Sequence, residues 1–65
     1  MTEEERQRHT EEAAGYMRGC LDKQLDGVIE VETERLEACN EGDVAIVARI
    51  MRAAARVEKR VRGLE

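Results

Sequence analysis

The 65-residue sequence contains no proline, phenylalanine or tryptophan, and Tyr16 is its only aromatic residue. Without proline, no position is barred from a helix interior by a missing backbone N–H group. With one aromatic ring, the chain lacks the stacking platforms typical of proteins that bind single-stranded nucleic acid. One histidine and two cysteines are too few for a zinc site of the usual kind. We therefore expect no metal and no other cofactor.

Long apolar runs are also missing. No stretch approaches the roughly 20 apolar residues that span a membrane, and the opening MTEEERQRHTEE is too polar for a secretory signal. We expect a cytoplasmic protein without membrane association, in which Cys20 and Cys39 are reduced thiols. No arrangement of side chains typical of catalysis is present. We therefore expect no catalytic residue, no enzymatic activity and no small-molecule substrate.

What the chain does contain is alanine, glutamate, arginine and aliphatic residues, with 40% of positions charged. This composition is typical of helices. Thr2 and Glu5 form a capping-box pattern, and CNEGD at 39–43 is the clearest turn signal. The sequence predicts one all-α domain over residues 1–65, an antiparallel two-helix hairpin. Its first helix has a polar arm over 1–13 and a core over 14–38; the turn covers 39–42 and the second helix 43–62.

Apolar residues recur at helical spacing in both predicted helices. In the second, a heptad seam with spacings of three and four comprises Val47, Ile50, Ala54, Val57, Val61 and Leu64. The stripe of the first helix comprises Ala14, Met17, Leu21, Leu25, Val28, Leu36 and Cys39. Antiparallel pairing would bring Leu25 beside Val57 and Leu21 beside Val61.

The distribution of charge also favours this pairing, because an acidic segment would lie beside a basic one. Residues 1–42 carry 12 acids and 5 bases, whereas residues 43–65 carry 3 acids and 6 bases. Glu32 interrupts the first stripe, and Arg35 lies one turn away.

Two helices alone cannot cover these stripes, and exposed apolar flanks mark an association surface. The simplest closed arrangement is a homodimer of hairpins that forms a four-helix bundle. We predict that the chain contacts a protein partner or a second copy of itself through apolar side chains. The predicted interaction surface comprises Met17, Leu21, Val28, Ile29, Val31, Ile46, Ile50, Met51, Val57 and Val61.

The stretch DKQLDGVIEVET at 22–33 partly matches a calcium-binding EF-hand loop. Asp22 falls at ligand position 1 of such a loop and Asp26 at ligand position 5. Gly27 falls at position 6, where an EF-hand loop has a glycine. The bidentate glutamate expected at position 12 is replaced by Thr33. Asp22, Asp26 and Glu30 also have the spacing of one solvated helix face, which explains the acidic residues without a metal. A degenerate calcium site therefore remains an alternative to a continuous helix.

Two further patterns concern the helices themselves. Gly15 and Gly19 are either tolerated within the first helix or mark a local bend, and residues 15–19 are the best place for a hinge between its polar arm and its core. The arginines of the second helix form a basic face, but the net charge of −4 argues for pairing with the first helix rather than for nucleic-acid binding.

The plan of the chain, with QLD in the first helix, a GD turn and an alanine-rich second helix, resembles the small hairpin co-chaperones of type III secretion needle subunits. That resemblance implies a chaperone of a helical partner. It stands as the alternative to our main hypothesis, a small non-enzymatic adaptor or regulator that acts by binding protein.

Overall fold

The computed structural model describes all 65 residues and contains three α-helices and no strand. Helix α1 spans Glu3–Arg18, α2 spans Asp22–Ala38 and α3 spans Gly42–Val61. The all-helical class predicted from composition is confirmed. The two-helix hairpin is wrong, because the first predicted helix is divided into α1 and α2.

The division lies at Gly19, Cys20 and Leu21. Gly19 keeps a helical backbone, with φ −87° and ψ −5°, whereas Leu21 is extended, with φ −72° and ψ 158°. Gly19 weakens the helix because glycine lacks the conformational restriction of other residues. The side chain of Gln24 accepts a hydrogen bond from the Leu21 N–H at 2.7 Å and so caps the start of α2. The bend thus falls at the end of the segment that the paired glycines indicated.

Helix α1 begins with the predicted capping box. The Glu5 N–H donates to Thr2 Oγ1 at 3.1 Å, and the Thr2 N–H donates to Glu5 Oε1 at 3.3 Å. These bonds satisfy backbone and side-chain groups at the helix start, where no intrahelical partner exists. Within the polar arm over residues 1–13, residues 3–13 are consequently helical, and Ala13 is buried.

Between α2 and α3 the chain turns at Cys39, Asn40 and Glu41, and Gly42 then adopts φ +79°. Helix α3 packs against both other helices. It runs parallel to α1, since the Met1 amine lies 3.4 Å from Asp43 Oδ1 at one end of the molecule, and Arg62 reaches the carbonyl oxygen of Met17 at the other end. It runs antiparallel to α2.

The core lies where α1 bends into α2. Met17, Cys20 and Leu25 pack around Ala55 of α3, and all four residues are buried. Elsewhere α3 meets its neighbours through small buried residues, Ala45 and Ala48. Small side chains let helix axes approach closely, so little volume has to be filled between the helices.

This packing overturns the predicted seam of α3. Val57 and Val61 were expected to face the first helix, but they are 55% and 76% exposed. Successive residues of a helix differ by about 100° in direction, and the buried positions Ala48 and Ala55 each lie one residue away from the predicted seam positions Val47 and Ala54. The expectation failed because α3 contacts two helices rather than one, and alanines occupy the faces nearest to them.

Candidate interaction surface

The side of α3 that faces away from α2 carries an apolar stripe with heptad-like spacing. We call this the outer face of α3; it comprises Ile46, Ile50, Ala53, Val57 and Val61. Spacings of three and four residues keep these side chains on one side of the helix. None is buried, and Ala53, Val57 and Val61 are exposed. The outer face therefore offers apolar surface that the chain does not cover itself.

Helix α1 borders the outer face and forms a groove with it. We call this the α1–α3 groove; it has a volume of about 460 Å³. Thr10, Ala14 and Arg18 line it from α1. From α3 the lining comprises Ile50, Ala53, Ala54, Val57, Glu58 and Val61. Most of this lining is apolar.

Arginines border this apolar surface on both sides, and we call them the arginine rim: Arg6, Arg18, Arg49, Arg56 and Arg60. Arg6 and Arg49 line a second depression beside Ile46 and Ile50. Arg56 and Arg60 continue the edge that Arg49 begins, seven and eleven residues later. All five are exposed, and only Arg60 has an ion pair, a 3.6 Å contact with Glu65. The rim is thus positive although the chain is net negative.

The residues predicted to form an interaction surface separate into three groups. Four are exposed: Leu21, Val31, Val57 and Val61. Five are half-buried: Val28, Ile29, Ile46, Ile50 and Met51. Met17 is fully buried in the core of the same chain, so it does not belong to that surface. The structure brings Ile46, Ile50, Val57 and Val61 together on the outer face of α3.

A further depression lies between α1 and α2, on a different side of α3, and we call it the α1–α2 cleft. Its volume is about 410 Å³. The lining comprises Tyr16, Gln24, Gly27, Val28, Val31, Glu32 and Met51. Glu32 is 5% exposed; its Oε1 accepts a hydrogen bond from Arg35 Nη1 at 2.9 Å, while its Oε2 is buried without a partner. Sequence reasoning singled out Glu32 as a polar interruption, but the unpaired oxygen is visible only in three dimensions.

Arg62 joins the three helices at the end opposite the α2–α3 turn. Its Nη1 donates to Asp22 Oδ1 and its Nε to Glu58 Oε2, both at 2.8 Å. Its Nη2 donates to the carbonyl oxygens of Met17 and Arg18 at 3.0 and 3.3 Å. The hydrogen bonds to Glu58 and Asp22 raise the pKa of Arg62 above its ordinary value, and the bond to Glu58 has the larger effect. No sequence pattern indicated this role, because its partners lie up to 45 residues away.

Residues 22–33 are helical throughout, so the calcium-loop interpretation is wrong. An EF-hand loop must curl around its ion, whereas these residues lie within α2. Two of the proposed ligands are ion-paired to α3: Asp22 to Arg62, and Asp26 to Lys59 Nζ at 2.6 Å. The hydrogen bond to Asp26 raises the pKa of Lys59. The structure contains no group of three or more histidine, cysteine or acidic residues placed to hold a metal ion.

No protein-family model, curated protein or solved structure matches the chain. None of its helices combines the length and the apolar character needed to cross a membrane. The surface features that bear on function are the outer face of α3, the α1–α3 groove and the arginine rim.

Proposed function

We propose that this protein is a small non-enzymatic interaction module that binds an amphipathic helix of a partner protein along the outer face of α3. The observation that carries the proposal is the apolar stripe from Ile46 to Val61 beside the α1–α3 groove, which is half-buried at Ile46 and Ile50 and exposed at Val57 and Val61. Helix-in-groove recognition uses apolar anchors at this spacing, inserted between two helices of the receptor. Burial of such side chains contributes about 25 cal/mol per Å² of apolar area.

The arginine rim indicates the chemistry of the partner. Glutamates or aspartates that flank the apolar stripe of a bound helix would lie opposite exposed guanidinium groups. Such rim contacts contribute mainly to orientation and association rate, and they weaken as salt screens them. We therefore propose an acidic amphipathic helix as the partner.

A second copy of the chain is the competing occupant, and it corresponds to the homodimeric four-helix bundle expected from the sequence. Two copies packed antiparallel through α3 would place the edge formed by Arg49, Arg56 and Arg60 against the same edge of the other copy. Like charges at this position oppose association. A partner with acidic flanks avoids that repulsion, which is why we favour it over a homodimer.

The test uses a designed helical peptide of about 20 residues, long enough to cover α3, with a leucine stripe and glutamate flanks. A second peptide has the same stripe and lysine flanks. We expect saturable binding of the acidic peptide by calorimetry, weaker binding at high salt, and no binding of the lysine peptide. Equal binding of both peptides, or of neither, would contradict the proposal.

Two exposed valines of α3 supply matched variants. Val57→Asp alters the outer face, whereas Val44→Asp alters a valine that is 64% exposed and lies elsewhere, beside Asp43 and Val47. We expect both variants to remain helical by circular dichroism and only Val57→Asp to lose the acidic peptide. Analytical ultracentrifugation measures whether the chain forms a dimer, and so tests a second copy as the competing occupant. A wild-type dimer that Val57→Asp converts to a monomer would identify a second copy as the partner and overturn the choice of an acidic helix.

A further inference from the structure

The α1–α2 cleft contains one charged residue, Glu32, among largely apolar neighbours. A carboxylate removed from water normally receives hydrogen bonds on both oxygens, because an unpaired buried polar atom costs free energy. Arg35 supplies one partner, to Oε1. Oε2 has none, and no basic side chain lines this cleft.

Glu32 also lines a separate cavity of about 380 Å³, and it is the one residue that the two cavities share. Arg35 lines that other cavity and does not line the α1–α2 cleft. The partner of Oε1 therefore lies on one side of Glu32, and the side toward Tyr16, Val31 and Met51 contains no cation.

From this arrangement we infer that the α1–α2 cleft binds an organic cation, a primary ammonium or guanidinium group on an alkyl stem. The positive group binds the Glu32 carboxylate once its Oε2, which has less than 1 Å² of accessible surface, turns toward the cleft. The stem packs against Val28, Val31 and Met51. Tyr16, which is exposed at the edge of the cleft, adds an aromatic ring, and aromatic faces attract cations within about 6 Å. A volume of about 410 Å³ accommodates a chain the length of a lysine or arginine side chain.

The decisive comparison uses three probes with four carbon atoms each on the wild-type protein: butylammonium, butanol and butyrate. We expect butylammonium to shift the NMR signals of Tyr16, Val31 and Met51 saturably, with a dissociation constant on the order of millimolar for so small a ligand. Butanol and butyrate should bind at least tenfold more weakly. Equal binding of butanol would show an apolar cavity without a cation site, and no saturable binding of butylammonium would overturn the inference.

Glu32→Gln tests the carboxylate directly, since it keeps the side-chain size and removes the charge. We expect at least a tenfold loss of butylammonium affinity and no change for butanol. Unchanged butylammonium affinity would exclude Glu32 as the cation partner. The outer face of α3 is untouched by this variant, so binding of the acidic peptide should persist; the two proposals can therefore fail separately.

A cation supplied by the chain itself gives a test that needs no ligand. Val31→Lys places an ammonium group beside the cleft, and Val31→Met supplies a side chain of similar length without charge. We expect Val31→Lys to melt at a higher temperature than Val31→Met, and the difference to disappear when Glu32→Gln is combined with each. A difference that persists in the two double variants would mean that the lysine acts elsewhere and would contradict the inference.

The natural source of the cation is distinguished by a further comparison. The same NMR titration is carried out with free butylammonium and with an alanine-based helical peptide that contains a single central lysine. Tighter binding of the peptide identifies a side chain of a partner protein as the ligand. Tighter binding of the free amine identifies a small metabolite.

Discussion

The Nη2 atom of Arg62 donates a hydrogen bond to the carbonyl oxygen of Met17 at 3.0 Å, across 45 residues of sequence. The last carbonyl groups of a helix have no intrahelical partner, and a cation placed there also meets the negative end of the helix dipole. Arg62 thus caps α1 from the end of α3, while its bond to Asp22 holds the first residue of α2. One side chain fixes how the three helices meet.

Replacement of Arg62 by alanine should therefore lower the melting temperature, because Asp22 and Glu58 lose their ion-pair partner. The Arg18 carbonyl also loses this donor, and the Met17 carbonyl keeps only the Cys20 N–H. Arg62→Lys should recover only part of the loss, since lysine lacks the planar fork that reaches several acceptors at once. Arg60→Ala is the control, because Arg60 is exposed and contacts only Glu65. Thermal melts by circular dichroism measure all three. Equal effects of Arg60→Ala and Arg62→Ala would show that Arg62 does not join the helices.

Two leucines four residues apart provide a sharp test of the core. Leu25 is fully buried, whereas Leu21 is 62% exposed at the bend. Leu25→Ala should destabilise the fold by about 2–5 kcal/mol, through lost burial and the cavity left behind. A domain of this size has little more stability than that, so the variant should be largely unfolded at room temperature. Leu21→Ala should change stability by no more than about 0.5 kcal/mol. Urea titrations decide between these outcomes, and a larger loss for Leu21→Ala would place the core elsewhere.

The revised orientation of α3 predicts different tolerance at two of its alanines. Ala55 is fully buried against Met17 and Leu25, whereas Ala53 is exposed on the outer face. Ala55→Leu should cost about 1–3 kcal/mol, because a close-packed contact cannot accept a larger side chain without displacement. Ala53→Leu should leave the monomer fold unchanged. Chemical denaturation at low protein concentration compares them, and the opposite order would contradict this orientation of α3.

Two glycines should respond to alanine in opposite directions. Gly27 lies within α2 with no atom within 4 Å of the position a Cβ would take. Gly27→Ala should stabilise the protein by about 0.5–1 kcal/mol, because alanine has the higher helix propensity. Gly42 has φ +79°, so Gly42→Ala should destabilise it by about 1–2 kcal/mol. Melting temperatures of the two variants measure the difference. Destabilisation by Gly27→Ala would argue against a helix through residues 22–33.

The capping box of α1 gives a dependence on pH. The hydrogen bond from the Thr2 hydroxyl, followed by that from the Thr2 N–H, lowers the pKa of Glu5 below its ordinary value. Because the pKa of Glu5 is lower in the folded protein than in the unfolded chain, the ionised carboxylate stabilises the fold. This contribution is fully present at pH values above the pKa of Glu5 in the unfolded chain. It is lost as pH falls through the pKa of the folded state. Glu5→Ala should therefore lower the melting temperature at neutral pH and have less effect at about pH 3.

Glu4→Ala is the control for that prediction, since Glu4 lies in the same helical turn without a capping hydrogen bond. Its effect at neutral pH should be smaller than that of Glu5→Ala. An effect of Glu5→Ala that stays constant across the pH range would show that the ionised carboxylate does not stabilise the cap.

Local features of the sequence determined the helices. The absence of proline, the helix-forming composition, the Thr2–Glu5 capping pattern and the glycine at position 42 act on the nearest few residues, and each has its expected effect in the structure. The paired glycines at 15 and 19 were compatible with a local bend, but a continuous first helix was expected, and the division into α1 and α2 was not predicted. These signals can be read from sequence because their physical causes are local backbone conformation and hydrogen bonding within about one helical turn.

Tertiary structure alone decided which faces are buried. Periodicity marked the apolar side chains of α3, but it did not distinguish the side that meets two helices, lined by Ala48 and Ala55, from the side left exposed at Val57 and Val61. The contacts of Arg62 and the unpaired oxygen of Glu32 also depend on residues that only folding brings together. The physical reason is that helix packing depends on how closely backbones approach, which is set jointly by side chains distant in sequence.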